Sequence, residues 1–493
     1  MKKIVLIIVL IASIKFCQAQ LYTLNNSGTL YDSFENPVQT TSVKDLSRKY
    51  AFNMLFPAIG NSVYFDGEAN TAFKTMLFKQ KTDASGIGNI GEARMNNLFT
   101  NSNNYLLMFK IFKSIKFKRE LGFAFQIRSE TNLNATNETF AILDNYGIFP
   151  QDNYDNISNG NGYSQSYSQM SFTYRQNLDK NWAFGGKLSV LNGIAYVTGD
   201  VSQSSLNIDR VNNIITEGVV GNAFSSFGTG IPNKSLLIPN FKNPGLSINV
   251  GTSYTSPEGI YFSGHIKDFG FINWNKNSTI FNFDETIKVY KANTDSLGEK
   301  FYDEFAIMLD ENQTKGGKVS RTNAKVEFLA SKNFDFYKPN LIVSKNVFER
   351  DGAVALINNF NRNIWNFSLN GIYDLRQGFN FGSQFMIKSP NVEFYMGSEK
   401  VFPSLRFASG YLKSDPSVGS NPTKADFYMG FSLKFGKLMQ NFSNADEIPG
   451  ITDGDQGKGV KNLNSKGLFG FLKKKEKSSK PEVDKRRDKK SKN

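Results

Sequence analysis

The chain has 493 residues, with 58 basic and 44 acidic side chains, one histidine and one cysteine, and a formal net charge of +14. One histidine and one cysteine cannot build a His/Cys metal site or a disulfide. The three lysines of the leader and the last 28 residues, with 12 basic and 4 acidic groups, carry eleven of the fourteen charges. The basic balance therefore belongs to the ends of the chain. It does not describe a folded surface and gives no argument for nucleic acid as a partner.

Residues 1–19 read as a secretory leader. Lys2 and Lys3 precede an apolar stretch from Ile4 to Ile14 that is too short to cross a bilayer, and Cys17 and Ala19 are small residues before a cleavage site at Gln20. Lys15 and Phe16 spoil the alternative of a lipid-anchored Cys17. Cleavage would remove the only cysteine, so stability must come from a sheet network or core. No later stretch has eighteen consecutive apolar residues.

Residues 20–437 are dominated by period-two alternation. Leu121, Phe123, Phe125 and Ile127 alternate with Gly122, Ala124, Gln126 and Arg128. Trp182, Phe184, Leu188 and Val190 stand against Lys187 and Ser189, and Leu246, Ile248 and Val250 against Ser247 and Asn249. Further on, Trp365, Phe367 and Leu369 oppose Asn366, Ser368 and Asn370, and Phe379, Phe381 and Phe385 oppose Asn380 and Gln384. The last such segment, DFYMGFSLKF (426–435), ends on Phe435. About 14 segments of membrane-crossing length are expected, with 14–16 as the range. Short turns fall at 176–181, 255–259 and 332–336, and long Asn- and Gly-rich connections at 129–166, 192–244 and 269–320. Short turns at one rim and long loops at the other, with Phe-rich outer faces and Gly, Ser, Asn and Gln opposite, predict an all-β transmembrane antiparallel β-barrel. Its apolar face would meet outer-membrane lipid.

Residues 438–493 read as a polar linker followed by a basic tail. Leu468, Phe469, Phe471 and Leu472 form a small apolar cluster beside Lys473, Lys474 and Lys475, a combination suited to docking on a partner protein or a membrane. The chain would leave such a barrel on the short-turn side, which places this tail in the periplasm.

Three motifs invite chemistry and fail. GIGNIG (86–91) lacks the βαβ setting of a dinucleotide site. DGDQG from Asp453 has Gly457 and Asn464 where calcium ligands are needed. His265, in register with Tyr261, Ser263 and Lys267, points into the lumen without a nucleophile beside it in sequence. No catalytic residues, metal or cofactor are expected.

Four short stretches carry a resemblance: ENPVQ (35–39), GGKLSVLNGIAYV (185–197), IKDFGFINW (266–274) and NVEFYMGSE (391–399). With them the chain resembles a Bacteroidota outer-membrane barrel family of unknown function, similar in plan to fatty-acid-transporter type barrels and to barrel subunits of the type IX secretion system. The resemblance implies no catalytic residues. It leaves two functions: a structural or accessory subunit of a larger outer-membrane assembly, for secretion, surface assembly or barrel insertion, or a channel or transporter for small solutes, hydrophobic ones included. A plugged lumen would favour the first and an open lumen with an apolar pocket the second.

Overall fold

The computed structural model describes residues 22–40, 48–54, 56–114, 118–229, 240–294, 297–419 and 421–437. Residues 1–19, read above as a leader, the stretch with Leu468–Lys475 and the DGDQG motif lie outside the described residues.

Fourteen antiparallel strands close into a barrel. They are β1 (Arg48–Phe52 and Ala58–Asp66), β2 (Met95–Ser114), β3 (Arg119–Thr136), β4 (Gly160–Asn177), β5 (Trp182–Asp209), β6 (Pro244–Thr255) and β7 (Ile260–Trp274). The wall continues with β8 (Lys318–Arg321 and Lys325–Lys332), β9 (Tyr337–Asn346), β10 (Gly352–Arg362), β11 (Trp365–Asp374), β12 (Gly378–Lys388), β13 (Val392–Ser398) and β14 (Thr423–Lys437). Each strand pairs with its sequence neighbours in the wall, and β14 closes on β1 with Tyr50 opposite Phe435 and Val63 opposite Ala425. Closure leaves no open edge, as a lipid environment requires.

The faces are distributed inside out for a soluble protein. Phe172, Phe328 and Phe379 are 60–67 % exposed. Ser189, Asn249, Asn340 and Ser368 are fully buried and Asn370 nearly so. Large apolar rings outside and small polar groups inside are stable only with hydrocarbon around the barrel. In β14 the expected alternation holds: Asp426, Tyr428, Ser432 and Lys434 are buried, and Phe427 and Phe435 are exposed. Trp182 and Trp365 sit at the short-turn rim on the outer face, Trp182 against Tyr254 with centroids 4.8 Å apart, where an aromatic girdle belongs. Trp274 does not join them: it is buried, stacked on Tyr196 at 5.3 Å, with its Nε1–H donated to Ser320.

At Asn53, 0 % exposed, the wall of β1 breaks. The Asn53 side chain repairs the ladder: its oxygen accepts from the Met108 N–H at 2.7 Å, and its amide donates to the Phe56 carbonyl at 3.2 Å. A break in lipid would otherwise leave backbone groups unpaired.

The short turns lie where the sequence placed them. None of the three long connections is simply a loop: within 129–166, β3 runs on to Thr136 and β4 begins at Gly160, the two paired from Ser129 and Ser166 to Ala135 and Gly160, and the other two build a sheet. β5 runs for 28 residues, about 90 Å of strand, far more than a tilted crossing needs. Its second half pairs with strand Ile214–Ser225, which pairs with Thr279–Tyr290, and that with Gln313–Lys315. This sheet stands at the long-loop rim with helices α2 (Asn70–Lys79), α3 (Asn137–Ala141) and α4 (Leu297–Glu311), and has its own core around Leu206, Ile215, Phe283 and Ile287. Ile87 of the GIGNIG loop packs into that core. The alternating Val, Ile and Phe of 214–225 and 279–290 are masked in sequence by Asn, Gly and Thr between them.

Candidate functional site

Residues 22–39 do not belong to the wall. They occupy the lumen, with Leu24, Leu30, Tyr31, Phe34 and Val38 buried. The segment contains one short helix, α1 (Leu30–Glu35), started by Thr29, whose hydroxyl accepts from the Asp32 N–H at 3.1 Å. Six residues would not hold a helix in water. Here the surroundings hold it. The Leu30 N–H donates to Glu393 at 3.0 Å, and Glu393 is paired with Lys434 at 2.5 Å. At the other end Lys110 donates to the Ser33 carbonyl at 3.1 Å and pairs with Glu120 at 3.3 Å. An acid at the helix N-terminus and a cation at its C-terminus both match the backbone dipole. Tyr31 packs edge-on against Tyr105 at 5.3 Å and Tyr395 at 6.2 Å.

The turn before the helix is held through its carbonyls. Lys388 donates to Ser27 at 2.5 Å and Gly28 at 2.8 Å, and Lys338 to Asn26 at 2.5 Å. The Thr23 N–H donates to Glu399 at 3.2 Å. Asp32 lies under this turn, where the Gly28 N–H reaches it at 3.1 Å. Burial pushes its carboxyl up to about 7 against the pull of that N–H, Lys338 and Lys388.

Glu35 is the most heavily partnered residue of the plug. It accepts from Tyr105 at 2.6 Å, Asn103 at 2.9 Å and Arg128 at 3.1 Å, and pairs with Lys267. Burial alone would raise its carboxyl, but Lys267 and Arg128 outweigh that and hold it well below the usual range. Arg128 also pairs with Asp268, which is 3.4 Å from Lys187. His265 lies on the lumen face as expected, engaged with Glu327 at 3.1 Å.

A bulge in β7 makes this cluster. The register shifts between Ile266 and Phe269, and Asp268 has φ +52°. Ile266 and Phe269 both face out, so Lys267 and Asp268 turn inward together, which strict alternation forbids. Asn249 fixes the bulge by accepting from the Asp268 N–H at 2.9 Å. Where the plug leaves the lumen, Arg175 donates to the Val38 carbonyl at 2.8 Å. Gly185 runs under Pro37, and a Cβ there would overlap the Pro37 carbonyl.

The four stretches that carried the resemblance therefore meet in space. ENPVQ ends the plug. GGKLS supplies Gly185 and Lys187, IKDFG supplies Lys267 and Asp268, and NVEFYMGSE supplies Glu393, Tyr395 and Glu399. The sequence offered these charges as a wet face. It gave no sign that residues 22–39 would be their partner, because those residues have no periodicity. Between α1 and the wall is a cavity of about 80 Å³, lined by Tyr22, Tyr31, Asp32, Arg128, Tyr167 and Lys325 among others. That is room for a few waters and well short of the ~300 Å³ at which small-molecule sites begin. Among the described residues, no three His, Cys, Asp or Glu side chains are grouped as metal ligands.

No curated protein matches the sequence. Among solved structures, the toluene transporter TodX of P. putida is 5 % identical, with 83 % of this chain and 94 % of that one covered and a TM-score of 0.42. A mutant of the Rh. blastica porin is 8 % identical, covering 79 % and 99 % at a TM-score of 0.23. The transport unit of the autotransporter AIDA-I from Escherichia coli is 8 % identical, covering 84 % and 99 % at 0.23. The model described as "Family of unknown function (DUF5723)" matches residues 47–399, from the first wall strand to the acid that holds Thr23, and the chain belongs to that family.

Proposed function

We propose that this protein is a plugged outer-membrane barrel that serves as a structural or accessory subunit of a larger outer-membrane assembly, of the kind used for secretion, surface assembly or barrel insertion. The observation that carries the reading is the plug. Residues 22–39 fill the lumen and are fixed to at least five strands, by ion pairs from Glu35 to Arg128 and Lys267 and by hydrogen bonds between their backbone and Lys110, Lys388 and Glu393. A diffusion pore gains nothing from such bonds, whereas a scaffold gains a rigid wall. In this reading residues 1–19 are the export leader, the short-turn rim faces the periplasm, and the basic tail with Leu468, Phe469, Phe471, Leu472 and Lys473–Lys475 contacts a periplasmic partner protein, with anionic lipid secondary.

Two measurements test it. Reconstituted protein should show no steady conductance and no solute uptake. Truncation after Gln440 should leave a barrel whose gel mobility still changes on boiling, while co-purifying proteins recovered in mild detergent fall. Open conductance of the intact chain at porin level, or a set of partners unchanged by truncation, would refute the corresponding part. The channel reading would then return, with the plug as its gate.

A further inference from the structure

Helix α5 (Val401–Lys413), in the connection between β13 and β14, has one face that the protein does not cover. Its inner side is tied down. The Ser404 hydroxyl accepts from the Asp426 N–H at 2.9 Å, Phe407 packs on Phe78 of α2 at 5.2 Å, and Gly410 is buried. Its outer side carries Phe402, Leu405 and Leu412, which are 60, 64 and 82 % exposed. These recur three and seven positions apart, so they form one stripe along the helix.

The stripe is continuous with the lipid-facing wall. The Phe402 ring stacks on Phe381 with centroids 5.6 Å apart and planes at 24°. Phe381 and Phe379 are outward residues of β12 at its long-loop end, the edge of the apolar band. Arg406 and Lys413 are exposed on the same helix, beside the stripe. A short helix with apolar residues on one side and cations flanking them suits the boundary between acyl chains and headgroups, where its apolar face sinks roughly 5–10 Å. Lysine and arginine there reach lipid phosphates.

We propose that α5 is an interfacial helix, lying in the headgroup–acyl boundary of the leaflet at the long-loop rim, with Phe402, Leu405 and Leu412 in lipid and Arg406 and Lys413 against lipid phosphates. This rests on the barrel crossing a membrane and not on the accessory-subunit reading. The helix then widens the barrel's footprint on one side and shields the rim of β12–β14 from water.

The chain has a single cysteine, Cys17 in the leader, so single-cysteine probes are simple to place. Leu405→Cys and Leu412→Cys, labelled with an environment-sensitive fluorophore, are reconstituted in vesicles containing brominated lipids. Phe367→Cys on β11 is the wall reference and Val211→Cys, at an 89 % exposed turn, the water reference. Quenching at 405 and 412 should approach that at 367 and exceed that at 211 severalfold. Replacing Arg406 and Lys413 by glutamate should reduce quenching at 412 in anionic vesicles. Quenching at the level of 211 with strong quenching at 367 overturns the proposal. Loss of quenching at 367 as well overturns the membrane barrel itself. Protection of 405 from a water-soluble quencher that vanishes on protein dilution, without lipid quenching, overturns it in favour of a second copy of the chain.

Discussion

Substituting Glu35 by alanine should loosen the plug more than any other single change within residues 22–39. The side chain faces two cations, Arg128 and Lys267, and accepts from Tyr105 and Asn103. Arg128 retains Asp268 after the change, but Lys267 is left without its ion-pair partner on the plug. Removing one member of a buried pair costs about 3–5 kcal/mol, because the remaining charge stays desolvated. That energy bears on plug docking, since Glu35 lies on the plug and its partners on the wall. At 1.4 kcal/mol per tenfold, the undocked fraction should rise by roughly two to three and a half orders of magnitude. Hydrogen exchange of the amides of residues 30–36, followed by mass spectrometry in detergent, reads that fraction directly when reclosing is fast. The same variant in a planar bilayer should show brief openings that the parent lacks. Glu35→Gln, which keeps the shape and loses the charge, should fall between the two. Unchanged exchange on 30–36 in a variant that still behaves as a folded barrel would refute the latch.

Phe172→Arg places a charge on the outer face, where the ring is 61 % exposed and packs on Phe123, and should destabilise the inserted barrel by about 2–4 kcal/mol near the midplane; urea unfolding in vesicles measures this. Asn53→Ala removes the repair of the β1 break and leaves the Met108 N–H unpaired, a loss of about 1–3 kcal/mol in the same assay. Gly185→Ala should push Pro37 off the wall and raise exchange in residues 30–36 without unfolding the barrel. Asp32 sets a pH dependence for docking: its carboxyl is raised to about 7 in the docked plug, so between the ordinary aspartate range and about 7 the docked state holds a proton the free plug does not. Docking should therefore be fully supported at the acid end and weaken as pH rises through that window, and Asp32→Asn should flatten the exchange profile.

The alternation of Phe with Ser, Asn and Gln was enough to give the architecture, since a strand's faces are set by its own residues and a lipid-facing face announces itself by composition. The turns at 178–181 and 256–259, the last strand through Phe435 and the lumenal place of His265 follow from the same period. The sheet at the long-loop rim was hidden, because 214–225 and 279–290 become strands by pairing with each other and with the far half of β5, and their Asn, Gly and Thr read as loop when taken alone. The plug was hidden for a stronger reason. Residues 22–39 have neither period nor length enough to fold, and what orders them are groups such as Glu393 and Lys388, more than three hundred residues away. The bulge at Lys267–Asp268 breaks the alternation that made the strands legible, and only the closed wall shows why: two charges must face inward together to meet Glu35 and Arg128. Sequence alone thus determined which face of each regular wall strand meets lipid. Which residues fill the lumen was decided by tertiary structure, because a buried charge is stable only where distant parts of the chain bring its partner.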